Sequence, residues 1–377
     1  MDYKSREWLK GKFREYYSSH ILTASYLEAR EWGFGNEKKI DQRHYAFANA
    51  NELNGFLRRE APLFVSHSIA HYEFPDARPM EKKNWKKADL VFDFDADEIL
   101  SCPYHEKGWV CSYCLGRTKE EAQKLIHGVL IGDFGISEEK IRLNFSGNRG
   151  YHVHIVDEKY MALGSEERRE IINYITGRGL DFSFIFYEEP MAERRIKAIR
   201  GPSPGMGGWK GKFASMFLRM LEKETLHELG VHESIAKKFY KNKKQIMNEI
   251  ERGNWDVIPI VRKEAFWKLI FQKIAVNLGE KIDEGVTLDT SKLIRMPLSL
   301  HGETGLLAQQ IKLDEFRDYN PMESAVIFNE KEVEIEVEKA PKITLKGKEF
   351  GPYENEKIKV PEYFAVYVIG KGRAKII

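Results

Sequence analysis

Asp89-Leu90-Val91-Phe92-Asp93-Phe94-Asp95-Ala96-Asp97 is the stretch on which the reading of this chain turns. Apolar and acidic residues alternate through most of it, the pattern of a strand with one buried face. At a rise of about 3.3 Å per residue, successive side chains fall on opposite faces, so Asp93, Asp95 and Asp97 share one face and Phe92, Phe94 and Ala96 the other. Three like charges in a row repel one another unless cations neutralise them, and hard divalent ions bound by carboxylates are the usual remedy. Two such ions about 3.5 to 4 Å apart can activate an attacking hydroxyl and stabilise a departing pyrophosphate in phosphoryl or nucleotidyl transfer. An acidic strand end facing solvent is the plain alternative.

Just after the acidic run, the three cysteines of the chain fall together with one histidine as Cys102, His105, Cys111 and Cys114, in the pattern Cys-x2-His-x5-Cys-x2-Cys. Two tight pairs of soft or borderline ligands match tetrahedral zinc, and an odd cysteine count argues against a disulfide framework. Four protein ligands leave no open position for water, so such a zinc is structural, a knuckle over residues 102–114. Thr118-Lys119-Glu120-Glu121 has the form of a capping box and predicts a helix starting at Thr118, with Leu125, Ile126, Val129 and Leu130 inward.

Ile141–Phe145 and Tyr151–Ile155 read as two strands joined by the turn Ser146-Gly147-Asn148-Arg149-Gly150. The glycines let the backbone approach a ligand, Ser146 can donate to phosphate oxygens, and Arg149 offers them a planar fork. His152 and His154 share one face of the second strand. Farther on, the segment from Ile282 to Gly302 mixes Asp283, Glu284, Asp289, Arg295 and His301 with short apolar strands, the composition of a site that closes over metal and phosphate.

The rest of the chain supplies the frame. An amphipathic helix is expected over residues 2–19, strands at Arg43–Phe47 and Val65–Phe74, and a helix over 165–176 with Ser165 as its cap. His67 and His71 read as structural. The basic run Arg78–Lys87 could hold a polyanion beside the acidic strand, although most charge runs are solvated faces. After the basic stretch Arg194–Arg200, Gly201-Pro202-Ser203-Pro204-Gly205 punctuates the chain, and helical patterns follow, including a basic helix at Lys237–Lys244. An apolar helix over Phe266–Leu278 and a half-exposed strand around Val333–Val337 complete the frame. The fold class is therefore α/β: a body of residues 1–200 and 257–377, with 201–256 as an inserted helical subdomain.

Lys plus Arg number 60 against 58 Asp plus Glu, so the net charge of +2 does not announce a nucleic-acid partner, and any basic surface must be local. No signal-peptide core opens the sequence at Met1–Glu7, and no apolar run spans a bilayer, which predicts a soluble, cytoplasmic protein.

In their order along the chain, the acidic strand, the Ser146-Gly147-x-Arg149-Gly150-x-His152 hairpin and Leu293-Ile294-Arg295-x-Pro297-x-Ser299-Leu300-His301 resemble the small catalytic subunit of archaeal and eukaryotic DNA primase. The archaeal members are nearest in sharing the Tyr72–Met80 run and a Cys/His knuckle after the acidic strand. The resemblance implies a primase-type domain built around an RNA-recognition-like sheet, a single-stranded DNA template, nucleoside triphosphates, an iron-sulfur large subunit as partner, and work at replication forks. It implies that Asp95, Asp97 and a third carboxylate hold two Mg2+ or Mn2+ ions, with Asp93 tuning them. The family's spacing selects Asp283 over Asp289 as that third carboxylate. Ser146, Arg149, His152, Arg295 and His301 would bind the incoming triphosphate.

Two positions depart from the family pattern. Glu303 stands where a lysine usually follows the distal histidine by two residues, so either nucleotide affinity is weaker or another cation has taken over. An early Arg-Glu-aromatic motif is altered to Arg43-His44-Tyr45. The nearest alternative is a stand-alone primase-polymerase for repair or a mobile element; from another class comes a non-catalytic zinc protein that binds nucleic acid.

Overall fold

The computed structural model describes every residue except 100–101, 106–107, 191–196, 258–262 and 279–282. The first part of the basic stretch Arg194–Arg200, and Ile282 at the head of the closing segment, therefore lie outside the described residues. The chain forms two compact units. One gathers Met1–Gln123, Ile136–Arg169 and Ile282–Ile377; the other gathers Lys124–Gly135 and Glu170–Lys281.

The first unit mixes helices with antiparallel sheets. Its central sheet runs in the order Gln310–Ile311, Ile141–Phe145, Gly150–Ile155, Leu90–Asp95. Leu90, Val91, Phe92 and Phe94 are fully buried while Asp93 and Asp95 are partly exposed, so burial of the apolar residues fixes which edge of the strand meets water. The register sets Asp93 opposite His152 and Asp95 opposite Gly150. A Cβ on Gly150 would fall 1.9 Å from the Phe94 carbonyl oxygen, so this pairing requires glycine.

The predicted strand through Asp97 is too long. Pairing stops at Asp95, and Ala96–Ile99 turns into a helix. The Asp95 carboxylate causes the turn by accepting the Asp97 amide at 2.9 Å, a local side-chain bond that competes with the ladder. Asp97 therefore joins its neighbours from a helical turn and does not share a strand face with them.

A second sheet, Leu293–Arg295, Phe64–Ser68, Trp32–Gly35, Gln42–Tyr45, carries Arg295 on its edge strand. The expected single strand over Val65–Phe74 is two strands, Phe64–Ser68 and Ala70–Tyr72, because Ile69 hydrogen-bonds Lys292 while Ala70 and His71 pair with the strand Trp85–Ala88. The C-terminal helix Glu362–Gly370 is buried through Ile369 beside the three-stranded sheet of Tyr353–Pro361, Glu332–Ala340 and Ala374–Ile376. The helix expected at Thr118 begins earlier, at Ser112, and Thr118 instead donates from Oγ1 to the Cys114 carbonyl at 2.9 Å.

The second unit is mainly helical: Gly208–Glu222, Glu233–Lys241, Lys243–Glu251 and Lys263–Leu278. It is wider than the punctuation at Gly201 suggests. Phe186 and Trp267, on either side of residues 201–256, share one aromatic core with Phe213, Phe217 and Trp255, and the Trp255 and Trp267 ring centroids lie 4.7 Å apart. The expected basic helix Lys237–Lys244 is broken at Asn242 into two, and Lys243 pairs with Glu224 at 2.8 Å.

Candidate active site

Four carboxylates lie at the exposed end of the strand Leu90–Asp95 and just beyond it. Asp93 and Asp95 come from the strand itself, Asp97 from the turn that follows. The fourth is Asp283, whose backbone N–H donates to the Asp93 carbonyl at 3.1 Å and pairs the two residues as an antiparallel bridge. Asp283 then caps the helix Glu284–Leu288 through Oδ1 and the Gly285 amide at 2.8 Å. Thr287 anchors that helix to the strand by donating to the Val91 carbonyl at 2.7 Å. Asp289 is exposed, and its carboxylate accepts from the backbone and hydroxyl of Ser291.

Arg149 meets the acids from the hairpin turn. Its guanidinium bonds Asp97 through Nη1 and lies 3.3 Å from Asp95 through Nη2, while Nε is buried with no partner among the described residues. Ser146 organises the turn: its Oγ accepts the amides of Asn148 at 3.3 Å and Gly150 at 3.1 Å. Gly147, at φ +81, has no room for a side chain, since a Cβ would stand 2.9 Å from that of His301. The turn thus touches the acidic strand on one side and the His301 loop on the other.

His152 is buried, with Nε2 3.5 Å from Asp93; burial first, then the charges of nearby His154 and Arg295, hold its pKa well below the ordinary histidine value. His301 is buried too and depressed by burial, then by Arg295 and Lys371. Its Nδ1 accepts the Glu303 amide at 3.2 Å, and its ring stands edge-on to Phe64. Both rings are therefore neutral near pH 7, which lets them donate through one nitrogen or accept through the other. Arg295 donates to the Val65 carbonyl at 3.1 Å and lies over the Phe64 ring, and its Nε is buried without a partner among the described residues. Burial lowers its pKa to about 10, which still leaves it charged.

All eight residues assigned from the sequence to the catalytic ions or the nucleotide lie in the first unit. Direct contacts join Arg149 with Asp95 and Asp97. Backbone pairing aligns Asp93 with Asp283 and His152. Arg43, by contrast, is committed to Glu31 at 2.9 Å and to the Ser291 carbonyl at 3.1 Å. In the basic run before the strand Lys83 is buried 3.5 Å from Glu31, Lys87 pairs with Glu158 at 2.7 Å and Lys86 pairs with Glu73 at the surface, while Arg78 and Lys82 are exposed. Sequence reading missed Asn148 and Lys371, which join the hairpin to the C-terminal helix, and Lys39, whose charge bears on both His152 and His301.

The Cys/His cluster is assembled as its spacing predicts. Ligand atoms of Cys102, His105, Cys111 and Cys114 all lie within 4.8 Å of one another. The Cys102 and Cys111 sulfurs are 3.8 Å apart, those of Cys111 and Cys114 3.6 Å, and His105 Nε2 is 3.2 Å from Cys114. Three thiols and an imidazole at such separations suit zinc.

Carboxylates of the kind that hold cations, with Arg149 between two of them, are the side-chain types nucleotidyl transfer calls for, and nucleotidyltransferases are the class of protein with which the chain compares. The family model "DNA primase small subunit" matches residues 92–313, more than half the chain. Across its full length the chain is 35% identical to the DNA primase small subunit PriS of Methanosarcina acetivorans, covering 97% of that protein, and 35% identical to PriS of Methanothrix thermoacetophila, covering 100% of it. PriS of Thermoplasma volcanium is 34% identical, with 100% of this chain and 99% of that protein aligned. The chain belongs to the DNA primase small-subunit family.

Proposed function

We infer that the chain is the catalytic subunit of a DNA primase, a nucleotidyltransferase that makes short primers from nucleoside triphosphates on single-stranded DNA. The observation that carries the chemistry is the Arg149 fork between Asp95 and Asp97, with Asp283 fixed beside Asp93 by backbone pairing. The antiparallel central sheet and the full-length similarity support a primase-type body with an RNA-recognition-like sheet, and residues 201–256 are proposed as part of a helical subdomain inserted into that body.

Asp95, Asp97 and Asp283 are the residues that would hold two Mg2+ or Mn2+ ions. One arginine divided between Asp95 and Asp97 leaves negative charge uncompensated, and carboxylate oxygens are the donors such ions prefer, so the residues fit. The chemistry such ions would supply there is a lowered pKa for the attacking 3′-hydroxyl and charge stabilisation of the departing pyrophosphate. The chain's own residues do the rest. Ser146 and the glycine turn offer donors to phosphate oxygens, and the spare Nε groups of Arg149 and Arg295 point to the same task. Neutral His152 and His301 complete the phosphate pocket without adding a second shell of charge. Zn2+ on Cys102, His105, Cys111 and Cys114 is structural. A large primase subunit is the proposed partner and the cytoplasm the proposed compartment; no helix among the described residues is long and apolar enough to cross a membrane.

The test is to incubate the purified chain with labelled nucleotides, Mg2+ or Mn2+, and either an unprimed or a primed single-stranded template, then size the products. New strands on the unprimed template support a primase. Extension of primed template alone would favour the stand-alone repair polymerase, and synthesis only after adding the large subunit would make the chain an obligate partner.

A further inference from the structure

The C-terminal helix ends beside the nucleotide hairpin, and its last residues leave little freedom. At Gly370 a Cβ would meet the Glu303 backbone at 2.8 Å, and at Gly305 a Cβ would meet Val366 at 2.1 Å, so the helix end and the Gly302–Gly305 loop are in backbone contact. Lys371 follows directly. Its backbone N–H closes the helix on the Tyr367 carbonyl at 3.1 Å, and its ammonium donates to the Gly108 carbonyl at 2.8 Å and to Asn148 Oδ1 at 3.1 Å. Asn148 is itself buried in the hairpin turn and donates through Nδ2 to Glu303 at 3.1 Å, so it stands between the two opposite charges. This double use fixes the orientation of its amide.

We propose that Lys371 is a nucleotide-binding residue, an ammonium held against the Ser146–Gly150 turn that takes a phosphate oxygen of the incoming triphosphate and supplies the positive charge that Glu303 does not. The proposal rests on the assignment of that turn to the triphosphate. Three observations carry it. Two of the three ammonium protons have protein acceptors among the described residues, which leaves a donor for a ligand. The amine is anchored to the residue that precedes Arg149 and feels that arginine's charge, so two cations are gathered at one turn. Glu303 faces the turn through Asn148, and a carboxylate there opposes a triphosphate unless a cation offsets it. The electrostatics agree with this: burial, with the nearby charge of Arg149, lowers the Lys371 pKa to about 8 against the attraction of Glu303, Asp97 and Asp95. An anion arriving beside a desolvated ammonium recovers part of that loss.

A purely structural role, tying the loop at Gly108 to the hairpin, makes different predictions. Lys371→Gln keeps a donor for these acceptors but removes the charge. Its affinity for a nucleoside triphosphate with Mg2+, measured by calorimetry, should fall roughly tenfold or more, while affinity for template DNA stays as in the parent. Lys371→Arg should retain most of the affinity. The double variant Lys371→Gln with Glu303→Lys, which moves the cation across Asn148, should recover part of it, an outcome a clamp cannot give. Unchanged triphosphate affinity in Lys371→Gln overturns the proposal, as does a lowered melting temperature with intact affinity. Arg149→Ala separates the two levels of inference. If it weakens triphosphate binding and Lys371→Gln does not, only the role of Lys371 fails; if neither does, the assignment of the turn has failed as well. Should Lys371→Gln not fold, Glu303→Gln reads the same balance: tighter triphosphate binding supports the proposal, and unchanged binding counts against it.

Discussion

Arg149 serves two carboxylates and keeps an unused nitrogen, and that combination depends on guanidinium geometry. A lysine at 149 would keep the charge but lose the fork. Arg149→Lys should lower kcat/KM for nucleotide incorporation about tenfold or more, as read by steady-state kinetics. His67 makes a separate, thermodynamic statement. Burial, aided by Arg30, lowers its pKa to about 3, whereas in the unfolded chain it titrates near 6.5. Between those values the unfolded state binds the extra proton, so its contribution to stability is complete above about pH 6.5 and is lost as pH falls toward 3. Denaturant midpoints should therefore drop as pH is lowered from 7 to 5, and less steeply in His67→Gln. At this scale the sequence was informative about types and spacing: Asp95 and Arg149, singled out from it, are in direct contact. It was silent about Lys371, a lone lysine between glycines, because only the packing of the C-terminal helix brings it to Asn148.

The acidic strand and the glycine hairpin are one device, since their register sets Asp95 beside Gly150 and hence Asp95 beside Arg149. Gly150→Ala would force the two strands apart at the Phe94 carbonyl. Chemical denaturation should show a loss of about 2 to 4 kcal/mol, with primer synthesis falling further than stability alone accounts for. Both strands of the hairpin and the metal-ligand spacing were legible, because alternation and Cys/His intervals are local signals. Element ends were not. The strand stops at Asp95 because a carboxylate captures the Asp97 amide, and the Lys237–Lys244 helix breaks at Asn242; such competition between side chain and backbone leaves the periodic pattern unchanged.

For the molecule as a whole, the first unit joins motifs far apart in sequence: the acidic strand pairs with the hairpin and bridges to Asp283, while Leu293–Arg295 pairs with Phe64–Ser68 in the second sheet. The extent of the helical unit was not legible, because its boundary is set by an aromatic core that draws Phe186 and Trp267 in from outside the Gly-Pro punctuation. The central claim is that the carboxylates of the acidic strand carry out nucleotidyl transfer on an unprimed template. The measurement that tests it most directly compares primer yield by the parent chain and Asp95→Asn on unprimed single-stranded DNA with Mg2+ and Mn2+ tried separately, alongside circular dichroism of both. An unchanged fold and a loss of about a hundredfold or more with either ion are expected. Substantial synthesis by a folded Asp95→Asn chain would contradict it.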